Sequence, residues 1–248
     1  MKISANRINL LNAVKTASRA LSNQKEMFEL NNLLLEADAG TGIITITGRD
    51  PHTQIQCRLC NEHVLEGGSM LIKPVVAEML KLLPGETVEI GINFCNELEI
   101  RGGSCKYGIP FLDSKNFPRV KIPFPEDFIC VKGINSIIKR TVFATDPQTQ
   151  ELHKRSLQFV KLSFANGQTT AEATNGLIAA LAQSPHGSDG KLDLILHEKA
   201  LGILASIVSP NDELYVGIAG NYAVFMKEDM FFSSQLYKGN YIEGSKLV

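Results

Sequence analysis

Tryptophan is absent from the 248 residues, and aromatic side chains make up only 7% of them. Their lysines and arginines are not interleaved with rings, which argues against a platform that stacks single-stranded bases. No apolar run reaches the ~18 residues of a membrane helix. Residues Met1 to Asn12 lack the basic start, apolar core and small-residue cleavage site of a signal peptide. A cytoplasmic home is the expectation. The cysteines, Cys57, Cys60, Cys95, Cys105 and Cys130, are odd in number and scattered, as free thiols in a reduced compartment would be. Cys57, Cys60 and His63 lack a second cysteine pair, so no structural zinc site is expected. Neither GxxxxGK[ST] nor a helix-opening GxGxxG occurs. Cys105 with His153 has no motif that would make it a nucleophile–base pair. His52, His63, His153, His186 and His197 fall in loops or at element ends and read as solvated. No cofactor, metal or catalytic residue is expected. The formal net charge of −1 speaks, at first sight, against a nucleic-acid binder.

What the chain does contain is a doubled unit. Leu71 to Ile92 (LIKPVVAEMLKLLPGETVEIGI) and Ile195 to Ile218 (ILHEKALGILASIVSPNDELYVGI) share one order: strand, apolar-periodic helix, proline stop, strand. At nearly the same offset, Ile8-Asn9 and Ile134-Asn135 open amphipathic helices. Leu35 to Gly40 and Leu162 to Gly167 each end a strand in a turn. Between the copies, Asp113 to Pro125 (DSKNFPRVKIPFP) holds three prolines and reads as an extended linker. These features predict two domains, 1–122 and 123–248.

Within each copy the pattern is mostly strand. Ile44, Ile46 and Gly48 form one buried phase, Ile55, Cys57 and Leu59 another, and Val88, Ile90 and Ile92 a third. Turns fall at Ala39 to Gly42, Asn93 to Asn96, Gly102-Gly103, Asn166-Gly167 and Ala219 to Asn221. Two helices per copy are predicted, at 7–20 and 74–83, then at 133–143 and 198–207. In the first, Leu10, Leu11, Val14 and Leu21 form an apolar stripe opposite Asn12, Lys15 and Arg19. Antiparallel sheet with two helices on one side is an α+β unit.

The charge is partitioned between these elements. Segments 7–20, 73–83, 132–143 and 198–207 carry Arg7, Lys15, Arg19, Lys73, Lys81, Lys132, Lys139, Arg140 and Lys199 against Glu78 and Glu198, a net of +7. The rest of the chain then carries −8. If the helices share a side, a neutral protein has a positive surface suited to the phosphates of a duplex rather than to its bases. The alternative is that surface helices commonly carry Lys and Arg.

The order and spacing of these units resemble the bacterial DNA polymerase β sliding clamp. So do Asn32 to Glu36 after a loop, Asn116-Phe117-Pro118 before the linker, Ala173 to Gly176 at a hairpin and the tail Leu236 to Val248. The resemblance covers Met1 to Val248 as the first two of three domains. It implies tandem DNA-clamp domains, with sheets outside and helices lining a ring around duplex DNA. The ring is a non-catalytic processivity factor, associated with the nucleoid, that tethers DNA polymerase and clamp loader through short peptide motifs. By the resemblance, Lys25, Lys73, Gln148 and Lys199 lie at or beside DNA contacts. Lys15, Arg19, Lys81, Lys139 and Arg140 join them on charge. Tyr107 and Ile109 match an edge strand that joins subunits. The peptide pocket maps to Leu157, Thr174, Gly176, Leu177, Ile178, Ala179, Ile242, Lys246 and Leu247.

The sequence departs from the family in three ways. Many clamps carry His-Arg-Leu after the Asp-Gly of this hairpin, where Leu177-Ile178-Ala179 stand here. A proline is usual in place of Ile242. A third clamp domain is absent. The preferred expectation is a fragment whose complete chain forms a homo-oligomeric ring; the alternative is a two-domain clamp closing as a trimer. A reading of another class is a clamp-fold interaction module that binds replication partners without encircling DNA.

Overall fold

The computed structural model describes residues 1–22, 27–60, 62–185 and 190–242. The chain divides into two compact units, Met1–Val120 and Lys121–Val248.

In the first unit, β1 (Lys2–Asn6) runs directly into α1 (Arg7–Ser18). Asn6 starts the helix, because its side-chain oxygen accepts from the backbone N–H groups of Ile8 and Asn9. Then follow β2 (Leu33–Asp38), β3 (Ile43–Arg49), β4 (Thr53–Leu59), β5 (His63–Glu66), β6 (Gly68–Ile72), α2 (Val76–Leu82), β7 (Thr87–Ile92), β8 (Leu98–Gly102), β9 (Cys105–Ile109) and β10 (Leu112–Asp113). All strand pairs are antiparallel. One sheet has the order β5-β1-β7-β8-β9. The other has the order β10-β6-β2-β3-β4.

The second unit contains β11 (Ile129–Lys132), α3 (Ile134–Thr141), β12 (Phe159–Ala165), β13 (Gln168–Thr174), β14 (Ala179–Pro185), β15 (Leu192–His197), α4 (Glu198–Ile207), β16 (Glu213–Ala219), β17 (Tyr222–Lys227) and β18 (Met230–Gln235). Its sheets run β11-β16-β17-β18 and β15-β12-β13-β14. Apart from the short β5 and β10, each strand has a counterpart in the first unit, in the same order and with the same neighbours. The sequence echoes therefore mark a repeated topology of two sheets and a helix pair, where the sequence predicted sheet and helices without dividing the strands. α1 packs on α2 and on β3 and β4; α3 packs on α4 and on β13 and β14.

The core is aliphatic. Leu10, Leu11, Ala13, Val14 and Ala17 form the buried face of α1. Helix α1 ends at Ser18, so Leu21 follows the helix rather than completing its stripe. Two small residues bring α1 close to the sheet: a Cβ at Gly48 would stand 2.0 Å from the carbonyl oxygen of Ala17. Ile92 is also displaced from its predicted phase. Val88 and Ile90 are buried, but Ile92 ends β7 and is 43% exposed.

The proline-rich stretch is not a free tether. Phe117 inserts into a cluster with Leu30, Leu34 and Leu71, and burying such a ring is worth roughly 2–3 kcal/mol. Buried Arg49 donates to the carbonyl of Pro118. Arg119 reaches the Glu36 carboxylate and the Ser114 carbonyl. On the second unit's side, Phe124 meets Phe231 edge to face at 5.8 Å, and Ile122 packs on Ala219, Val224 and Phe231.

Candidate functional site

The structure sorts the helical bases into two kinds. Arg7 is structural. Its Nε donates to the Gly85 carbonyl at 2.7 Å and its Nη1 to the Leu80 carbonyl at 3.1 Å, covering the C-terminal end of α2. Lys132 closes β11 rather than opening a helix, and it pairs with Glu213 at 2.6 Å. That contact raises the Lys132 pKa. Lys81 pairs with Glu78 one turn earlier on α2.

The exposed remainder is Lys15 on α1, Arg19 at its C-cap, Lys73 just before α2, Lys139 and Arg140 in the last turn of α3, and Lys199 in the first turn of α4. Arg140 holds Ser136 through its guanidinium at 3.2 Å. Glu198 stands beside Lys199 in the first turn of α4. Burial pushes its carboxyl pKa up, against the opposite pull of Lys199. Gln148 is exposed in the turn after the 3-10 turn Val142–Ala144. Lys25 lies outside the described residues. Each unit thus presents bases on or beside its helix pair, in fewer positions than the sequence total implied.

The predicted partner pocket gathers around the β13–β14 hairpin. Leu157 lies in the last turn of a 3-10 segment, Leu152–Gln158, and is buried, as is Thr174. Gly176, in the left-handed region at φ +87°, sits where a Cβ would touch the Leu157 side chain at 4.0 Å. The turn satisfies its own polar groups. Asn175 Oδ1 accepts from the N–H groups of Leu177 and Ile178, both at 3.0 Å. Thr174 Oγ1 donates to the Ile178 carbonyl and accepts from the Gly176 N–H. Only apolar side chains are left facing solvent: Leu177 is 93% exposed and Ile178 48%, beside exposed Ala179.

Residues 236–242 cross the same sheet. The Tyr237 N–H donates to the Ile195 carbonyl, and its ring stacks on Phe159 with centroids 4.2 Å apart. The Tyr241 hydroxyl donates to the Glu172 carbonyl at 2.8 Å. Ile242 follows directly on this tether to β13, one of the two strands of the hairpin. Lys246 and Leu247 lie outside the described residues. Sequence reasoning missed the Phe159–Tyr237 stack and the Tyr241 tether; the signal was two tyrosines four residues apart in an otherwise polar segment.

His197 is also more than a solvated histidine. Its Nδ1 accepts from the Lys199 N–H as the N-cap of α4, and its ring meets Phe159 edge to face at 5.2 Å. Among the predicted interface residues, Tyr107 is half-buried on β9, the outer strand of its sheet. Ile109 points into the core at 8% exposure, so only its backbone is at the edge. Cys57 is buried as its strand phase implied. Among the described residues no helix is long and apolar enough to cross a membrane.

Residues 1–121 match the family model described as "DNA polymerase III beta subunit, N-terminal domain". The chain is 28% identical over 244 residues to a β sliding clamp of Halalkalibacterium halodurans. That alignment takes in 92% of this chain and 63% of the relative, so the chain spans less than two thirds of the relative's length. A solved structure of a putative DNA polymerase III β subunit from Eubacterium rectale superposes with a TM-score of 0.87 at 17% identity, covering 99% of this chain and 67% of that one. The Pseudomonas aeruginosa sliding clamp bound to griselimycin superposes at 0.85 with 19% identity, covering 100% and 68%. Residues 1–121 thus match such an N-terminal domain, and the whole chain is similar in sequence and in fold to bacterial β sliding clamps.

Proposed function

We propose that this chain is the two-unit portion of a DNA sliding clamp, a non-catalytic processivity factor of the cytoplasm that encircles duplex DNA and holds a polymerase to its template. The observation that carries the reading is the exposed set Lys15, Arg19, Lys73, Lys139, Arg140 and Lys199, set on or beside the helix pair of each unit in a chain of net charge −1. Bases of this kind contact phosphates without reading sequence, as sliding requires. Encirclement converts dissociation of the polymerase into sliding and raises its effective concentration at the template. The Leu157, Thr174 and Leu177 neighbourhood, with Ile242, serves as the site for short peptide motifs of the polymerase and clamp loader. β9, with Tyr107, serves as the edge by which the complete chain joins a homo-oligomeric ring.

The test is retention on DNA of two topologies. Protein loaded on nicked circular duplex should stay bound in high salt and be released when the circle is linearised. Equal retention on both templates would reject encirclement and favour a clamp-fold module that binds replication partners alone.

A further inference from the structure

Helix α3 keeps its period past its last turn. Ile134, Ile137, Ile138, Thr141 and Ala144 form the buried side, and Lys139, Arg140 and Phe143 the exposed one. Phe143 lies in the 3-10 turn Val142–Ala144 and is 65% exposed. The turn is pinned around the ring: Thr145 Oγ1 donates to the Val142 carbonyl at 2.8 Å, and Ala144 is fully buried. A phenyl ring is thus held in water one turn beyond two exposed cations, with exposed Gln148 following.

The first unit has a similar arrangement built from other residues. Phe28, 56% exposed, opens the 3-10 turn Phe28–Asn31. The Asn32 side-chain amide donates to the Phe28 carbonyl at 2.9 Å, and Leu30 anchors the turn in the core. The Ser22 N–H donates to the Leu30 carbonyl at 3.1 Å, which ties the turn to the chain leaving α1 just after Arg19. Phe94, Phe124 and Phe128 are exposed too, but they lie in the β7–β8 turn and in the stretch before β11, not after a helix that carries these cations.

A phosphate gains nothing from a phenyl ring, and half-buried Glu29 and Asp146, one and three residues beyond the rings, would turn it away. A nucleobase offers the ring a flat face on which to stack. In an intact duplex that face is covered by neighbouring bases, and it opens only where the strands are unpaired. The chain has no platform of successive rings, so each unit takes one base rather than a run of them.

We propose that Phe143, and Phe28 in the first unit, stack on unpaired nucleobases while the neighbouring lysines and arginines hold the flanking phosphates, so that the chain prefers gaps and single-strand junctions to intact duplex. The proposal rests on the reading of the helix cations as DNA contacts and adds a feature of the DNA that those cations alone do not distinguish. Every base has a face, so the contact stays independent of sequence.

The experiment measures anisotropy of two labelled DNAs with the full chain at about 100 mM salt: an intact duplex of about 30 base pairs, and the same duplex with a central gap of about five nucleotides. The gapped DNA should bind at least about fivefold tighter. Phe28→Ala combined with Phe143→Ala should remove that preference and leave affinity for intact duplex within about twofold of the parent. In the Phe28→Ala background, Phe143→Tyr keeps a ring and should keep the preference, whereas Phe143→Leu keeps only apolar bulk and should lose it. Both positions are exposed, so the variants should melt as the parent does. Equal binding of the two DNAs by the parent, or a preference that survives the double alanine replacement, would overturn the proposal while leaving the salt slope on intact duplex to report on the cations. If neither DNA binds, the reading of the cations falls and the proposal with it. If Phe143→Leu keeps the preference, the contact is apolar packing rather than stacking and the proposal fails. If the parent dimerises in sedimentation, the double variant does not and the DNA preference is the same in both, the rings serve a second copy of the chain and not a nucleobase.

Discussion

Replacing Lys15, Arg19, Lys139 and Arg140 together with alanine should flatten the salt dependence of duplex binding without unfolding the protein. All four side chains are exposed, so their removal opens no core cavity. Each base that neutralises a phosphate contributes about −0.9 to the slope of log K against log salt. Four full contacts would therefore change the slope by about 3.6, and over a fourfold rise in salt the parent would lose about 150-fold more affinity than the variant. The guanidinium of Arg140 already holds Ser136, so it should give less than a full contact, leaving a change between about 2.7 and 3.6. The assay is anisotropy of a labelled duplex of about 30 base pairs between 50 and 200 mM salt. Arg7→Ala supplies the control: it removes a base from the same helix pair but one committed to the Leu80 and Gly85 carbonyls. It should lower stability and leave the slope unchanged. The reasoning is refuted if the quadruple variant keeps the parental slope, or if Arg7→Ala lowers the slope as much per residue.

Asn135→Ala should destabilise the second unit by about 2–4 kcal/mol in chemical denaturation, because it leaves the buried Ala205 and Val208 carbonyls without their donor; a loss below about 0.5 kcal/mol would show that water replaces the amide. Gly48→Ala should prevent normal packing of α1, since its Cβ would meet backbone rather than a movable side chain, and a soluble variant with an unchanged Tm would contradict that geometry. Asp212 is held below the usual aspartate range: burial raises its pKa, but the Ser209 N–H and Lys227 lower it further. A lowered folded-state pKa stabilises above the unfolded value and is lost as pH falls through the folded one. Asp212→Asn should accordingly lower Tm at neutral pH, with the difference from the parent shrinking below about pH 4. A difference that persists unchanged to low pH would assign the effect to packing. Tyr241→Phe should weaken peptide binding by releasing the segment that carries Ile242, and equal affinity would remove that tether from the site.

The fold was legible in the sequence where period and repetition agreed. The four helices, the hairpin turns and the duplication follow from features that one chain displays twice. What stayed hidden depends on side chains meeting across long separations. Arg7 and Lys15 look alike as bases on one helix; only the approach of the α2 carbonyls distinguishes the first. Phe117 sits among three prolines and reads as linker, yet its ring finds Leu30, Leu34 and Leu71. The 3-10 segments at Phe28–Asn31 and Leu152–Gln158 are too short to show a period. At the candidate partner site the hairpin was legible from Asn175-Gly176. The crossing of Tyr237 and Tyr241 was not, because it joins segments roughly 70 residues apart.

The duplication lets one half of the molecule serve as a reading of the other. At the start of the first helix, Arg7 stands where the second copy has Gly133, and exposed Asn9 stands where it has buried Asn135. In one copy the arginine reaches the carbonyls at the end of the partner helix, and in the other the asparagine does. Gly133, at φ +72°, could not be exchanged for arginine without strain. What the two copies share is thus a vacancy that some donor must fill. Transplanting a helix pair between them would succeed only if the donor travelled with the carbonyls it serves.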